Sequence, residues 1–363
     1  MCPNPLQRPS YLLIDLLKIV AAQCIVWHHF ALYGPLADAL TMAAPELAQW
    51  LFDYARMAVQ VFLVVAGYLA ARSLGSGLLP TQELLRTVWQ RYERLVLPFL
   101  LALLITVLMA AVARPHLDSE LVPGRPSLAQ WLAHASLLHG LLKVESLTAG
   151  AWYVAIDFQL YALLALLLWL ARGRHWAGVA LVAAMAIASL SGFNLDARYD
   201  NWALYFFGAY GLGALAWWAG LRSRHSGYAL TLYAFTLVVG LASLSLDFRE
   251  RIALAMGVSS VLLAFGSTQL RLPHRLASAV RHLSNGSYAL FLVHFSVLLL
   301  ANAAWSALDL EDTDWALAYI ACAWVLCMLV SHAFHTQVEQ RLARWRAGPS
   351  AIIPAIPAAV AAK

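Results

Sequence analysis

The feature that most constrains this chain is a series of apolar runs, each about 20 residues long. That is the length an α-helix needs to cross the hydrocarbon layer of a bilayer. Such runs fall near 12–33, 54–72, 95–113, 151–171, 175–192, 202–220, 228–246, 252–268, 285–305 and 315–335. Of the 363 residues, 62% are hydrophobic and only 12% charged. A soluble domain carries about twice that share of charge. The expected fold is therefore an all-α polytopic membrane protein of about ten transmembrane helices. The segment 127–147 is more polar and reads as an amphipathic helix lying in the interface. Residues 1–346 read as a single membrane domain, and 347–363, rich in Ala and Pro, as a disordered tail. The first run is too long for a signal peptide and is interrupted by Asp15 and Lys18, so it reads as a retained helix.

Basic residues orient this map. With the N-terminus on the cytoplasmic side, sixteen Lys and Arg fall in inner segments. Six fall outside, namely Arg114, Arg125, Lys143, Arg198, Arg249 and Arg251. Lys18 and Arg56 lie in or near helices. An even number of helices with both termini cytoplasmic fits this split. It also accounts for the net charge of +5 without a nucleic-acid partner. The expected location is the inner (plasma) membrane of a bacterial-type cell. Four cysteines show neither metal-ligand spacing nor a disulfide framework, and no metal is expected.

Ionisable groups inside a bilayer cost roughly 2.5–3.5 kcal/mol each and are functional candidates by default. The first run, "DLLKIVAAQCIVWHHF", holds several. Lys18 and His29 are eleven residues apart, about 20° on the helical wheel, whereas His28 is about 80° away from Lys18. Asp15, Lys18, Ala22, Ile25 and His29 form one stripe. Snorkelling by Lys18 and simple pairing with Asp15 remain open as structural explanations. In "AWYVAIDFQLY", Tyr153, Asp157 and Tyr161 recur every four residues and share a face. The loop "RTVWQRYERLVLP" sets Arg91 and Arg94 one turn apart at the inner surface, a pattern that suits phosphates as well as topology. His294 lies near the middle of the ninth run. His332, His335 and Glu339 end the tenth, where headgroup contact is the expected role.

Together these stretches resemble acyltransferase family 3, the integral-membrane O-acyltransferases, over nearly the whole chain. The family's basic residue, ten residues, then His-Phe is matched by Lys18, His29 and Phe30. Its Arg-x-x-Arg is matched by Arg91 and Arg94. "VFLVVAGYL" (Val61 to Leu69), Trp152 to Tyr161 and Ser287 to His294 resemble three further motifs, and Glu339 part of a last one. Asp157 stands where the family has Glu, Phe158 replaces a second Glu, Ala66 a Ser and Arg341 a Pro, the marks of a divergent member.

The resemblance implies transfer of an acyl group, with acetyl the expected one, from acyl-CoA to a hydroxyl of a saccharide or lipid-linked glycan of the envelope. The expected roles are His29 as general base, directly or through an acyl-histidine, with Asp157 orienting it. Arg91, Arg94 and Lys18 serve the acyl-CoA donor. Asp15, Tyr153, Tyr161 and His294 are further members of a polar path. Membrane lipids are the remaining partners. Two readings from other classes stay open: a proton-coupled transporter of a polar solute, and a non-catalytic assembly or sensing component.

Overall fold

The computed structural model describes residues 11–75, 81–221, 226–268, 272–309 and 313–347. The Ala/Pro-rich tail expected to be disordered lies, from residue 348 onward, outside the described residues. Among those residues the protein is all-helical. In chain order the helices are α1 (Leu12–Phe30), α2 (Pro35–Ala43), α3 (Pro45–Asp53), α4 (Ala58–Leu74), α5 (Thr81–Ala113), α6 (Leu128–Ala135), α7 (Ala151–Leu170) and α8 (His175–Ser191). They continue with α9 (Ala203–Gly220), α10 (Ser226–Leu246), α11 (Glu250–Phe265), α12 (His274–Asn285), α13 (Ser287–Ala307), α14 (Thr313–Phe334) and α15 (Gln340–Ala347). A π-helical turn, His335–Glu339, joins α14 to α15.

Every expected apolar run is helical. Among the described residues, however, eight helices rather than ten have both the length and the hydropathy to cross a membrane. The two that do not are α9 and α11. The second is short, at 16 residues. The first, at 18 residues, is built largely of Gly, Ala and aromatic residues because it is a core helix. It packs on α4 more extensively than any other pair of helices packs. That approach depends on two glycines. A Cβ at Gly67 would lie 1.9 Å from the Tyr210 carbonyl oxygen, and one at Gly213 would lie 2.0 Å from that of Val64. Small residues bring membrane helices into backbone contact where the hydrophobic effect supplies no drive.

Two further expectations change. The amphipathic segment 127–147 is helical only over α6, opened by a capping box between Ser127 and Gln130. Arg91 and Arg94 are not in a loop, because α5 starts at Thr81 and runs unbroken for 33 residues, about 50 Å. Two short helices, α2 and α3, each with proline at its start, fill the connection between α1 and α4.

The core forms three clusters. One lies among α4 and α7–α11, one among the end of α1, α2, α13 and α14, and one among α1, α5, α7 and α13. α13 is the most fully buried of the eight spans. It meets α1, α5 and α14, and so forms the spine on which the polar residues converge.

Candidate active site: two cavities back to back

The bundle contains two large cavities. One, of about 590 Å³, lies among the end of α1 and the starts of α4, α7 and α11. The other, of about 620 Å³, lies among the first half of α1, the rest of α4, α5, α7, the start of α13 and the end of the chain. Successive helices give them different stretches. α1 gives Ile25, His28 and His29 to the first and Lys18 to the second; α7 gives Trp152 to the first and Tyr153, Val154, Asp157 and Tyr161 to the second. They therefore occupy opposite ends of the bundle, the His end and the Arg end. Phe291 of α13 lines both.

At the His end, His29 is buried and its Nδ1 lies 2.7 Å from Nε2 of His294. Nδ1 of His294 lies 3.0 Å from the carbonyl oxygen of Leu290, one turn back on α13. A carbonyl only accepts, so Nδ1 of His294 carries the proton and its Nε2 is the acceptor. His29 then donates from Nδ1, and its Nε2 keeps a free lone pair on the cavity side. The two rings stack at 4.9 Å, with Tyr33 edge-on to His29 at 5.3 Å. This is the geometry of a histidine held in one tautomer as a neutral base. The cavity wall adds the buried Gln60 amide, and the rim mixes Arg56, Arg249 and Arg251 with Asp53, Asp200 and Glu250.

His28 does not turn away from this cavity, contrary to the wheel argument. It lines the same cavity, because the space wraps around the end of α1. Its Nδ1 is taken up by the Leu51 carbonyl at 3.0 Å, however, and it has no link to His294.

At the Arg end, Asp157 pairs with Arg91 at 2.5 Å. The expected contact between Asp157 and His29 is absent, and His294 stands in that place. The reason is depth: Asp157 is a turn and a half beyond Trp152 and opens to the other cavity. The Arg91 guanidinium also sits over the Tyr161 ring at 5.1 Å, and its Nε is buried without a partner. Tyr153, Asp157 and Tyr161 line this cavity together, as their spacing requires. Arg94 and Arg346 complete its basic lining, opposite Glu339, which is held by His335 at 2.6 Å. Lys18 donates to the Ser284 carbonyl at 2.9 Å and to its hydroxyl at 3.0 Å, and that hydroxyl donates to Asp15 at 2.6 Å. Asp15 and Lys18 are thus joined through α12 rather than directly. His332 pairs with His282 at 2.9 Å, outside both large cavities.

Both cavities are lined in part by charged residues, then, but the His29–His294 imidazole pair lies at the His end. A family model described as an acyltransferase domain matches residues 11–332. The chain belongs to this acyltransferase family. No curated protein and no solved structure gives a significant match. Both histidines, Lys18 and the Arg91–Asp157 pair of this multi-pass membrane acyltransferase lie inside the matched residues, whereas His335, Glu339 and Arg346 lie beyond them. Reasoning from sequence missed Phe291, Gln60, Ser284 and Arg346. Phe291 and Gln60 sit in apolar stretches with no periodic signal. Arg346, on α15, reads from sequence as one of several basic residues at the end of the chain.

Proposed function

We propose that this acyltransferase moves a short acyl group from acyl-CoA, bound at the Arg end, to a hydroxyl of a saccharide or lipid-linked glycan at the His end. The observation that carries the reading is the pair of opposed cavities, one basic and one holding an unprotonated histidine nitrogen, meeting at Phe291. Arg94, Arg346 and Lys18 suit the phosphates of CoA, and Arg91, steered by Asp157, adds its remaining N–H groups. Acyl-CoA is made in the cytoplasm, so the Arg end faces it, in the inner membrane of a bacterial-type cell. The mixed rim of the His end, with Gln60, suits an acceptor with many hydroxyls.

The reaction follows from the tautomer. Nε2 of His29 takes the proton of the acceptor hydroxyl as its oxygen attacks the thioester carbonyl. The new C–O bond forms and the C–S bond breaks. CoA leaves as a thiolate and takes up the proton from the imidazolium. His294, accepting from Nδ1, keeps His29 oriented and shares its transient charge. A transient acyl-histidine would use the same nitrogen. Family membership favours transfer over transport of a solute.

The test is CoA release from acetyl-CoA by purified protein with a panel of envelope glycans. Acceptor-dependent release should fall about 10³-fold in His29→Ala and less than about fivefold in His28→Ala. Equal rates for wild type and His29→Ala would remove the base from this scheme.

A further inference from the structure

Phe291 is only 8% exposed, yet it lines both cavities, so its ring is the partition between them. Two neighbours fix the ring. A Cβ at Gly150 would come within 3.0 Å of its Cε1 and Cζ, so the bare backbone at the start of α7 lies against one side. Tyr153 meets it edge-on at 5.2 Å, and Phe62 backs Tyr153 at 6.0 Å. On the other side the ring lies 6.2 Å from that of His294. Phe62, Tyr153, Phe291, His294 and His29 make one continuous series of rings from the Arg end to the base. Phe291 stands on α13, the most buried span, so it cannot swing outward with its helix.

We infer that Phe291, seated on Gly150 and braced by Tyr153, is a specificity-determining residue that limits the donor to acyl groups of about two to three carbons. This rests on the donor assignment of the proposed function. The thioester carbonyl has to reach the partition for a hydroxyl beside His29 to attack it. An acyl tail then extends from the carbonyl into the space the ring occupies. A methyl or ethyl tail fits beside the ring. A longer tail meets its face, and Val154 and Val293, buried in the same core cluster as Phe291, restrict the space beside the ring. Close packing makes even one surplus methylene felt.

The experiment uses the full chain in lipid nanodiscs and needs no acceptor. Affinities for CoA, acetyl-CoA and hexanoyl-CoA are measured for wild type, Phe291→Ala and Phe291→Leu, with thermal unfolding of each variant as the check on folding. Wild type should bind CoA and acetyl-CoA alike and hexanoyl-CoA at least about tenfold more weakly. Phe291→Ala should recover that factor for hexanoyl-CoA with CoA itself unchanged, and Phe291→Leu should recover part of it. A ratio of hexanoyl-CoA to CoA affinity that is the same in all three proteins, or wild-type hexanoyl-CoA binding as tight as acetyl-CoA, would overturn the size limit alone. No CoA binding by wild type at millimolar concentration would instead overturn the donor assignment, and the size limit with it.

Discussion

The two cavities have nearly equal volumes and opposite chemistry. The Arg end gathers four basic side chains, Lys18, Arg91, Arg94 and Arg346, with Asp157 and Glu339 as counter-charges. The His end keeps its charges at the rim and places an uncharged imidazole pair inside. Charge inside a bilayer is tolerated where it is paired or where a ligand of opposite sign completes it. A diphosphate would complete the first cavity. A general base has to be unprotonated before it acts, so the second cavity gains from carrying no carboxylate beside its histidines. The separation keeps the Arg91–Asp157 pair and the imidazole pair in different cavities.

The sharpest way to break the comparison is at His294. Replacing it with Ala leaves the His29 Nδ1–H buried without an acceptor and frees the ring to change tautomer. The loss of kcat should be about 10²-fold, between that of a lost base and that of a lost packing contact. Affinity for CoA should be unchanged, because His294 lies on the other side of Phe291. His294→Gln, whose amide oxygen can accept the same hydrogen bond, should restore about a tenth of the rate or more. A purely structural role would show equal loss in the Ala and Gln variants, with a lowered unfolding temperature in both.

That relay was only half legible in the sequence. His29 could be singled out because Lys18, Ile25 and His29 fall on one helical stripe, a relation internal to α1. Its partnership with His294 is made across 265 positions and depends on how α1 and α13 cross, which no local period encodes. The same holds for Asp157. Its spacing from Tyr153 and Tyr161 correctly puts all three on one face, but periodicity says nothing about which neighbour that face meets, and it meets Arg91. The membrane helices themselves were legible because hydropathy is a local property. α9 shows where that signal fades: its burial among other helices lets Gly and Tyr replace the aliphatic residues that lipid contact would require. The helical start of α5 was missed because Arg86, Arg91 and Arg94 look like loop residues, while each is also a good helix former.

Arg94 sharpens the other half of the comparison. Unlike Arg91 it is exposed, and it has no carboxylate closed on it as Asp157 is on Arg91. Arg94→Ala should weaken binding of acetyl-CoA about tenfold or more, the value of one charge-assisted hydrogen bond. Acetyl-pantetheine, which lacks the diphosphate, should bind wild type and variant equally. Equal losses for both donors would mean that Arg94 acts through packing or topology rather than on phosphate.

The smallest effect lies outside the candidate spanning helices, in the segment that leads into the His end. His139 is buried with both ring nitrogens unpartnered, stacked at 4.3 Å on His134. His134 itself is satisfied, with Nδ1 on the Gln130 carbonyl and Nε2 accepting from the Leu147 amide. Burial, with the neighbouring His134, pushes His139 down to about 4. The unfolded segment takes up a proton near the usual histidine value of 6.5 while the folded one resists it, so the stability of this segment is lost as pH falls from about 6.5 toward 4. Hydrogen exchange across residues 128–147 should therefore quicken over that range, while exchange around Arg91 and Arg94 changes little. His139→Phe keeps the stacked ring and removes a buried N–H that has no acceptor, so it should slow exchange at neutral pH and reduce the acid response to the part that His134, also pushed down by burial, contributes. Gly150 and Ala149, at the end of this segment, line the His end and seat Phe291. A parallel quickening at both ends would mean that the two cavities share one unfolding unit, joined where the Tyr92 hydroxyl, beside Arg91, donates to the Ala135 carbonyl at 2.6 Å.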